Sequence, residues 1–218
     1  MVLHLADLLE VPLRERNALL VAAGFAPVFP ERPLDDPALA LARQAVDLVL
    51  AGHEPNPAIA VDRQWTLRAA NRAATALLSG VDASQLQPPV NVLRLSLHPD
   101  GLARRIGNYA EWRAHVLARL RRQIEVTADP GLMALASEIA AYPAPLNVSS
   151  LNGVGEDRYG GVVVPLRLLT DAGILSLFGT ITVFGTPVDI TLSELAIESF
   201  FPADAASAEM LRRMAGLL

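Results

Sequence analysis

The chain of 218 residues has no cysteine and no lysine, and only 5 % of it is aromatic. Without cysteine there is no disulfide framework and no thiolate to act as nucleophile or metal ligand. That absence agrees with a cytoplasmic setting. All eighteen basic residues are arginine, which, with the excess of alanine, reflects GC-rich coding more than a function. No run of eighteen apolar residues is free of charge and proline, so no membrane span is expected. The opening MVLHLADLLE carries Asp7 and Glu10 and no cationic segment, unlike a signal peptide. The formal net charge of −5 argues against strong nucleic-acid binding by this chain alone. Catalytic signatures are missing too. There is no G-x-S-x-G, H-E-x-x-H or P-loop. Gly153-Val154-Gly155 lacks a third glycine, because position 158 is Arg158, so it is no dinucleotide fingerprint. Asn147-Val148-Ser149 matches the glycosylation sequon, which carries no meaning without secretion. His98 and His115 are the candidates for a haem axial ligand, yet they stand too far apart and too unaccompanied for a metal site. The expectation is a non-enzyme with no cofactor.

What is present is apolar. A hydrophobic fraction of 52 % supports a sizeable core in one domain with appendages, or in two small domains. Residues 1–27 read as two short helices with Leu5, Leu8 and Leu9 on one and Leu13, Leu19, Leu20 and Ala23 on the other. Gly24 is a natural C-terminal stop. Residues 28–36, VFPERPLDD, form a linker. Asp35 or Asp36 then caps a helix with Pro37 in its first turn. Leu41, Ala45, Leu48 and Val49 form one face of that helix, either packed outside a sheet or used to relay state or dimerise.

Pro57 to Leu78 is the most informative stretch. Ala58 to Val61 and Trp65 to Ala70 are apolar runs separated by Asp62-Arg63-Gln64, the pattern of a hairpin. Asn71 caps the helix that follows. Farther on, Asn91 caps a short segment ending at His98-Pro99-Asp100-Gly101. Asn108 and Glu111 resemble a capping box. The helix they open carries Tyr109, Trp112, Val116, Leu120 and Ile124 on one stripe, with Arg113, Arg119, Arg121 and Arg122 assigned to the wet side. Asp129-Pro130 starts another helix, running to Tyr142. Pro143 to Gly161 reads as a mobile loop. Strands are expected over Val162–Thr170, Ile174–Phe184 and Leu192–Phe200, the last with Leu195 and Ile197 facing away from Glu194 and Glu198. A terminal helix closes the chain. Two strands before the helices and three after them make an α+β domain, a five-stranded antiparallel sheet covered by helices.

Strand, turn, strand, Asn and helix in that order resemble the opening of a PAS-type sensor domain. Leu5 to Pro27 resembles the end of an XRE-type helix-turn-helix domain, with the phrase L-A-x-x-L-x-V-P-x-x-E-R-N-x-L-L-x-A-A-G-F-x-P. The recognition helix of such a unit would lie upstream of Met1, through truncation or a late start. Pro88–Gln123, with N-V-L-R-L-x-L-H-P-x-G, and Val162–Asp204, ending E-S-F-F-P-A-D, are similar to the MmyB-like transcription regulators. That resemblance implies a helix-turn-helix remnant over 1–27, a linker over 28–36 and a PAS-like ligand-binding domain over 37–218. It also implies a likeness to regulators of secondary metabolism, DNA contact only through the absent part of the helix-turn-helix, a homodimer, and a fatty-acid-like molecule held in the core.

The chemistry of such a site can be drawn from the residues. Leu95, Leu97, Trp112, Val116, Val164, Leu166, Phe178, Ile181 and Phe184 are candidate walls, with Trp112 equally a core residue. An acyl chain gains ~0.8 kcal/mol per buried CH₂, so a dozen methylenes give roughly ten before ordering costs. Asn91, Arg94 and His98 are turn-spaced and can share a helical face toward a carboxylate head. Otherwise Arg94 ties its loop to Asp100 or a strand acid, and His98 caps its own helix. A self-filled core, serving a protein-interaction and dimerisation module, is the alternative to a ligand.

Overall fold

The computed structural model describes residues 1–145, 163–185, 187 and 189–217. Most of the Pro143–Gly161 loop expectation, with the Asn147 sequon and Gly153-Val154-Gly155, lies outside the described residues. Helices α1 (Val2–Leu8) and α2 (Leu13–Ala22) come first, followed by a 3-10 turn, Pro37–Leu39, and α3 (Ala40–Gly52). Strands β1 (Ala58–Val61) and β2 (Leu67–Ala70) lead into α4 (Arg72–Ala76), α5 (Val92–Leu97), α6 (Tyr109–Thr127) and α7 (Pro130–Ala140). The remaining elements are β3 (Leu166–Thr170), β4 (Gly173–Val183), α8 (Ile190–Ser193), β5 (Ala196–Pro202) and α9 (Ala205–Met214).

The five strands form one antiparallel sheet in the order β2-β1-β5-β4-β3. The last strand in sequence therefore lies in the middle. β5 pairs Glu198 with Ile59 of β1 on one side and with Ile181 of β4 on the other. Both faces are covered. On one, Val46 and Leu50 of α3 pack on Ala58, Ala60, Leu195 and Ile197. On the other, the main core joins Leu97, Val116, Leu120, Leu132 and Ile139 to Leu168, Leu175 and Leu177.

Several elements depart from the sequence expectation. The strand expected from Val162 starts at Leu166, after Pro165, which has no N–H to give a ladder. The strand expected from Leu192 begins only at Ala196, because Asp189 accepts a hydrogen bond from Thr191 N and nucleates α8. Glu198 is buried together with Ile197, since each face of the central strand has its own cover. On α3 the face toward the sheet is Val46 and Leu50, whereas Leu41, Leu48 and Val49 point outward. Asn108 does not cap α6. Its amide donates to Pro165 O and Glu111 Oε2 and accepts from Arg167 N, which fastens the start of α6 to β3.

Asn71 holds the hairpin to both neighbours. Its Oδ1 accepts from Ala74 N, capping α4, and from Ala58 N of β1. Its Nδ2 donates to Leu50 O and Asn56 O. All four bonds are shielded, so losing the amide orphans several backbone groups. Asn71→Ala is expected to cost about 3 kcal/mol in urea unfolding, with an unchanged m-value.

Candidate functional site

Where α6 crosses the sheet it stands off β4 and β5, leaving a cavity of about 340 Å³. Trp112, His115, Val116 and Arg119 face it from α6, and Gly179, Thr180 and Ile181 from β4. Glu198 and Phe200 of β5, Leu93 of α5, Val163, Val164 and Trp65 complete the wall. The side chain of Ile181 is half exposed, at 52 %, where the cavity opens. Gly179 keeps the floor low beside Phe200, whose ring would lie 3.7 Å from an added Cβ.

The polar end is a three-residue stack. Trp65 ends the hairpin turn with φ of +66°, a left-handed conformation that bulky residues seldom adopt. Its indole Nε1 donates to Gln123 Oε1 of α6 at 2.9 Å, and Gln123 Nε2 donates to Arg63 O at 2.8 Å. The Arg119 guanidinium lies 4.2 Å above the Trp65 ring, within cation–π range. Its Nη2 also stands 2.5 Å from Glu198 Oε1. Burial pushes the Glu198 carboxyl above its ordinary value, against the pull of Arg119. Burial also lowers the His115 imidazole, with Arg119 and Arg122 acting in the same direction. His115 stacks on Trp112, whose Nε1 donates to Ser96 Oγ.

Of the residues singled out in the sequence, Trp112, Val116, Val164 and Ile181 line this cavity. Leu95 and Leu166 are buried but are not among its lining residues. Phe178 and Phe184 lie on the opposite face of the sheet. Phe178 is paired with Phe201 across β4 and β5, on the face of Ile197, and Phe184 packs with the α3 cluster. Alternation along β4 decides this, since odd-numbered residues face α6.

The proposed head-group trio is elsewhere as well. Asn91 caps α5 by accepting from Leu93 N and Arg94 N. Arg94 forks onto Glu138 of α7, at 2.8 Å to each carboxylate oxygen. That bond holds the Glu138 carboxyl below its usual range. Tyr142 donates to the same carboxylate, and burial, then Glu138, pushes its hydroxyl up to about 12. His98 accepts from Asp100 N and meets Tyr142 edge-on. These contacts tie α5 to α7 at the surface, and Arg94 pairs with neither Asp100 nor a strand acid.

Among the described residues the guanidinium at the cavity is that of Arg119, which the sequence assigned to the wet face. It stands seven residues after Trp112 and three after Val116, so the helical period could have found it. His115, three residues after Trp112, was open to the same period, unlike Trp65, Glu198 and Phe200. Only the pairing of β5 in mid-sheet brings the last two under α6.

Among the described residues no cluster of His, Asp and Glu could hold a metal ion, and no helix is long and apolar enough to cross a membrane. A covered antiparallel sheet with a cavity under its long helix is the architecture of an α+β small-molecule-binding domain. Residues 42–214 match the MmyB-like transcription regulator ligand binding domain, and the chain belongs to that family. No curated protein matches it in sequence.

Arg119→Ala would leave Glu198 buried without its counter-charge. The expected cost is about 2–3 kcal/mol near neutral pH, below that of a fully buried pair because Arg119 keeps 29 % of its side chain exposed. Glu198 binds its proton more tightly when folded than its ordinary value of 4.5 allows. The group's effect is therefore a loss of stability as pH rises above that value. The deficit of Arg119→Ala should grow between pH 5 and pH 8, as denaturation at the two pH values would measure.

Proposed function

We propose that this chain is the ligand-sensing part of a bacterial transcription regulator, working in the cytoplasm, and that the cavity beneath α6 takes a fatty-acid-like apolar molecule. The observation that carries this reading is the space itself. It measures about 340 Å³, within the roughly 300–1,000 Å³ of small-molecule sites, and is walled mainly by Leu93, Trp112, Val116, Val164, Ile181 and Phe200. A chain of eight to twelve methylenes gains ~0.8 kcal/mol for each one buried there. Arg119 stands at the polar end. The alternative, an interaction module with a self-filled core, calls for side chains to occupy this volume.

Sensing requires that the ligand favour one of two arrangements. The outward stripe of Leu41, Leu48 and Val49 on α3 supports a homodimer as the element whose arrangement changes. DNA contact would fall to a helix-turn-helix unit of the XRE type, of which α1 and α2 are the closing helices. The exposed Leu5, Leu8, Leu9 and Leu19 support that assignment.

Decanoate and dodecanoate should raise the melting temperature of the purified protein and appear as one-to-one adducts in native mass spectrometry. Val116→Phe, which fills the cavity from α6, should weaken binding at least tenfold while unfolding stays cooperative. Unchanged melting with both acids, and no adduct, would sink the reading.

A further inference from the structure

Among the described residues the cavity is lined by one guanidinium, and that guanidinium already has a carboxylate. Glu198 is 93 % buried, in the middle strand of the sheet. Its Oε1 is closed to solvent and makes no hydrogen bond of good geometry, although Arg119 stands beside it. The strand residues that flank it, Ile59 of β1 and Ile181 of β4, are aliphatic. From α6 the groups facing the cavity are Arg119 and His115, with Glu111 and Arg122 acting on His115 from the same helix. From the hairpin turn there is the uncharged Trp65.

An ionised acid entering this space would set two carboxylates against the one guanidinium among the described lining residues. The second negative charge would be uncompensated, and neighbouring carboxylates resolve that conflict by sharing a proton. A neutral head that donates a hydrogen bond meets no such conflict, because the carboxylate of Glu198, which lines the cavity, can accept it. We infer that Glu198 makes this site select a head group that donates a hydrogen bond, so that an aliphatic alcohol binds directly and a fatty acid binds with uptake of one proton. The proton comes from solvent and lies between the ligand carboxyl and Glu198, leaving a net single negative charge opposite Arg119. Burial, which disfavours the ionised form of Glu198, works in the same direction. The inference rests on the ligand reading above and adds the class of head group.

The test is titration calorimetry of the whole chain with decanoate and with 1-decanol between pH 6.5 and 8.5. Decanoate affinity should fall about tenfold per pH unit, the slope of one linked proton, and its heat should vary with the ionisation enthalpy of the buffer. Decanol affinity should stay flat. Glu198→Gln should abolish the decanoate slope and retain tight binding at pH 8, whereas His115→Gln should keep the slope. A flat decanoate profile in the unmodified protein overturns the inference and leaves the ligand reading standing. Loss of the slope in His115→Gln overturns it too, by placing the proton on the imidazole. If neither compound binds, the ligand reading falls and this inference with it. The unmodified protein alone decides the slope, so a poorly folding variant does not protect the idea.

Discussion

Burying a carboxylate in the centre of a sheet obliges the rest of the structure to answer it. Glu198 sits on β5, between β1 and β4, with aliphatic neighbours on both sides. Among the described residues no cation of the sheet pairs with it, and the counter-charge comes from above. Arg119 supplies it from α6, and this fixes how that helix crosses the strands. The guanidinium rests on Trp65, whose left-handed backbone is held by the indole bond to Gln123. Pair, ring and amide together place one end of α6 on the hairpin turn. The cavity is the space left between this polar anchorage and the apolar contacts of Val116 and Leu120.

The same turn reaches the N-terminal helices. Arg63 pairs with Asp129, the cap of α7, and with Glu194 at the end of α8. Glu194 also receives Arg14 of α2, which in turn pairs with Glu31 of the linker. Pro30 O accepts from Ile190 N, and Thr191 Oγ1 donates to Arg32 O. The segment before α3 is thus fastened through polar contacts, together with Leu34, which packs on the α3 cluster. The Arg14–Glu31 pair is exposed and individually weak, commonly under about 1 kcal/mol, whereas the pairs that Glu194 and Asp129 make are partly buried. A wall residue, Trp65, and Arg63, which shares Glu194 with Arg14 of α2, are two positions apart on one tight turn.

Much of this was legible along the chain, because local signals coincided with the tertiary outcome. Asn71 between an apolar run and an Ala/Leu pattern reads as a cap, and it is one. Its second duty, to Ala58 and Leu50, had no sequence signal. Of the trio Asn91, Arg94 and His98 only Arg94 lies within α5, with the other two at its ends, and the position of Glu138 on α7 draws Arg94 outward. On α3 the Leu41–Leu48 stripe and the Val46–Leu50 stripe are both apolar. Period alone could not say which one meets the sheet.

The sequence by itself determined most of the elements, the family and the apolar stripe of α6, because each rests on residues close together in the chain, but not α8 or the start of β3. Tertiary structure decided which charges meet. A carboxylate on the last strand and a guanidinium on a helix 79 positions earlier become partners only when β5 inserts into the middle of the sheet. Strand alternation, a local property, turns Phe178 and Phe184 away from the face of Ile181, whereas sheet order, which is not local, brought Glu198 under α6.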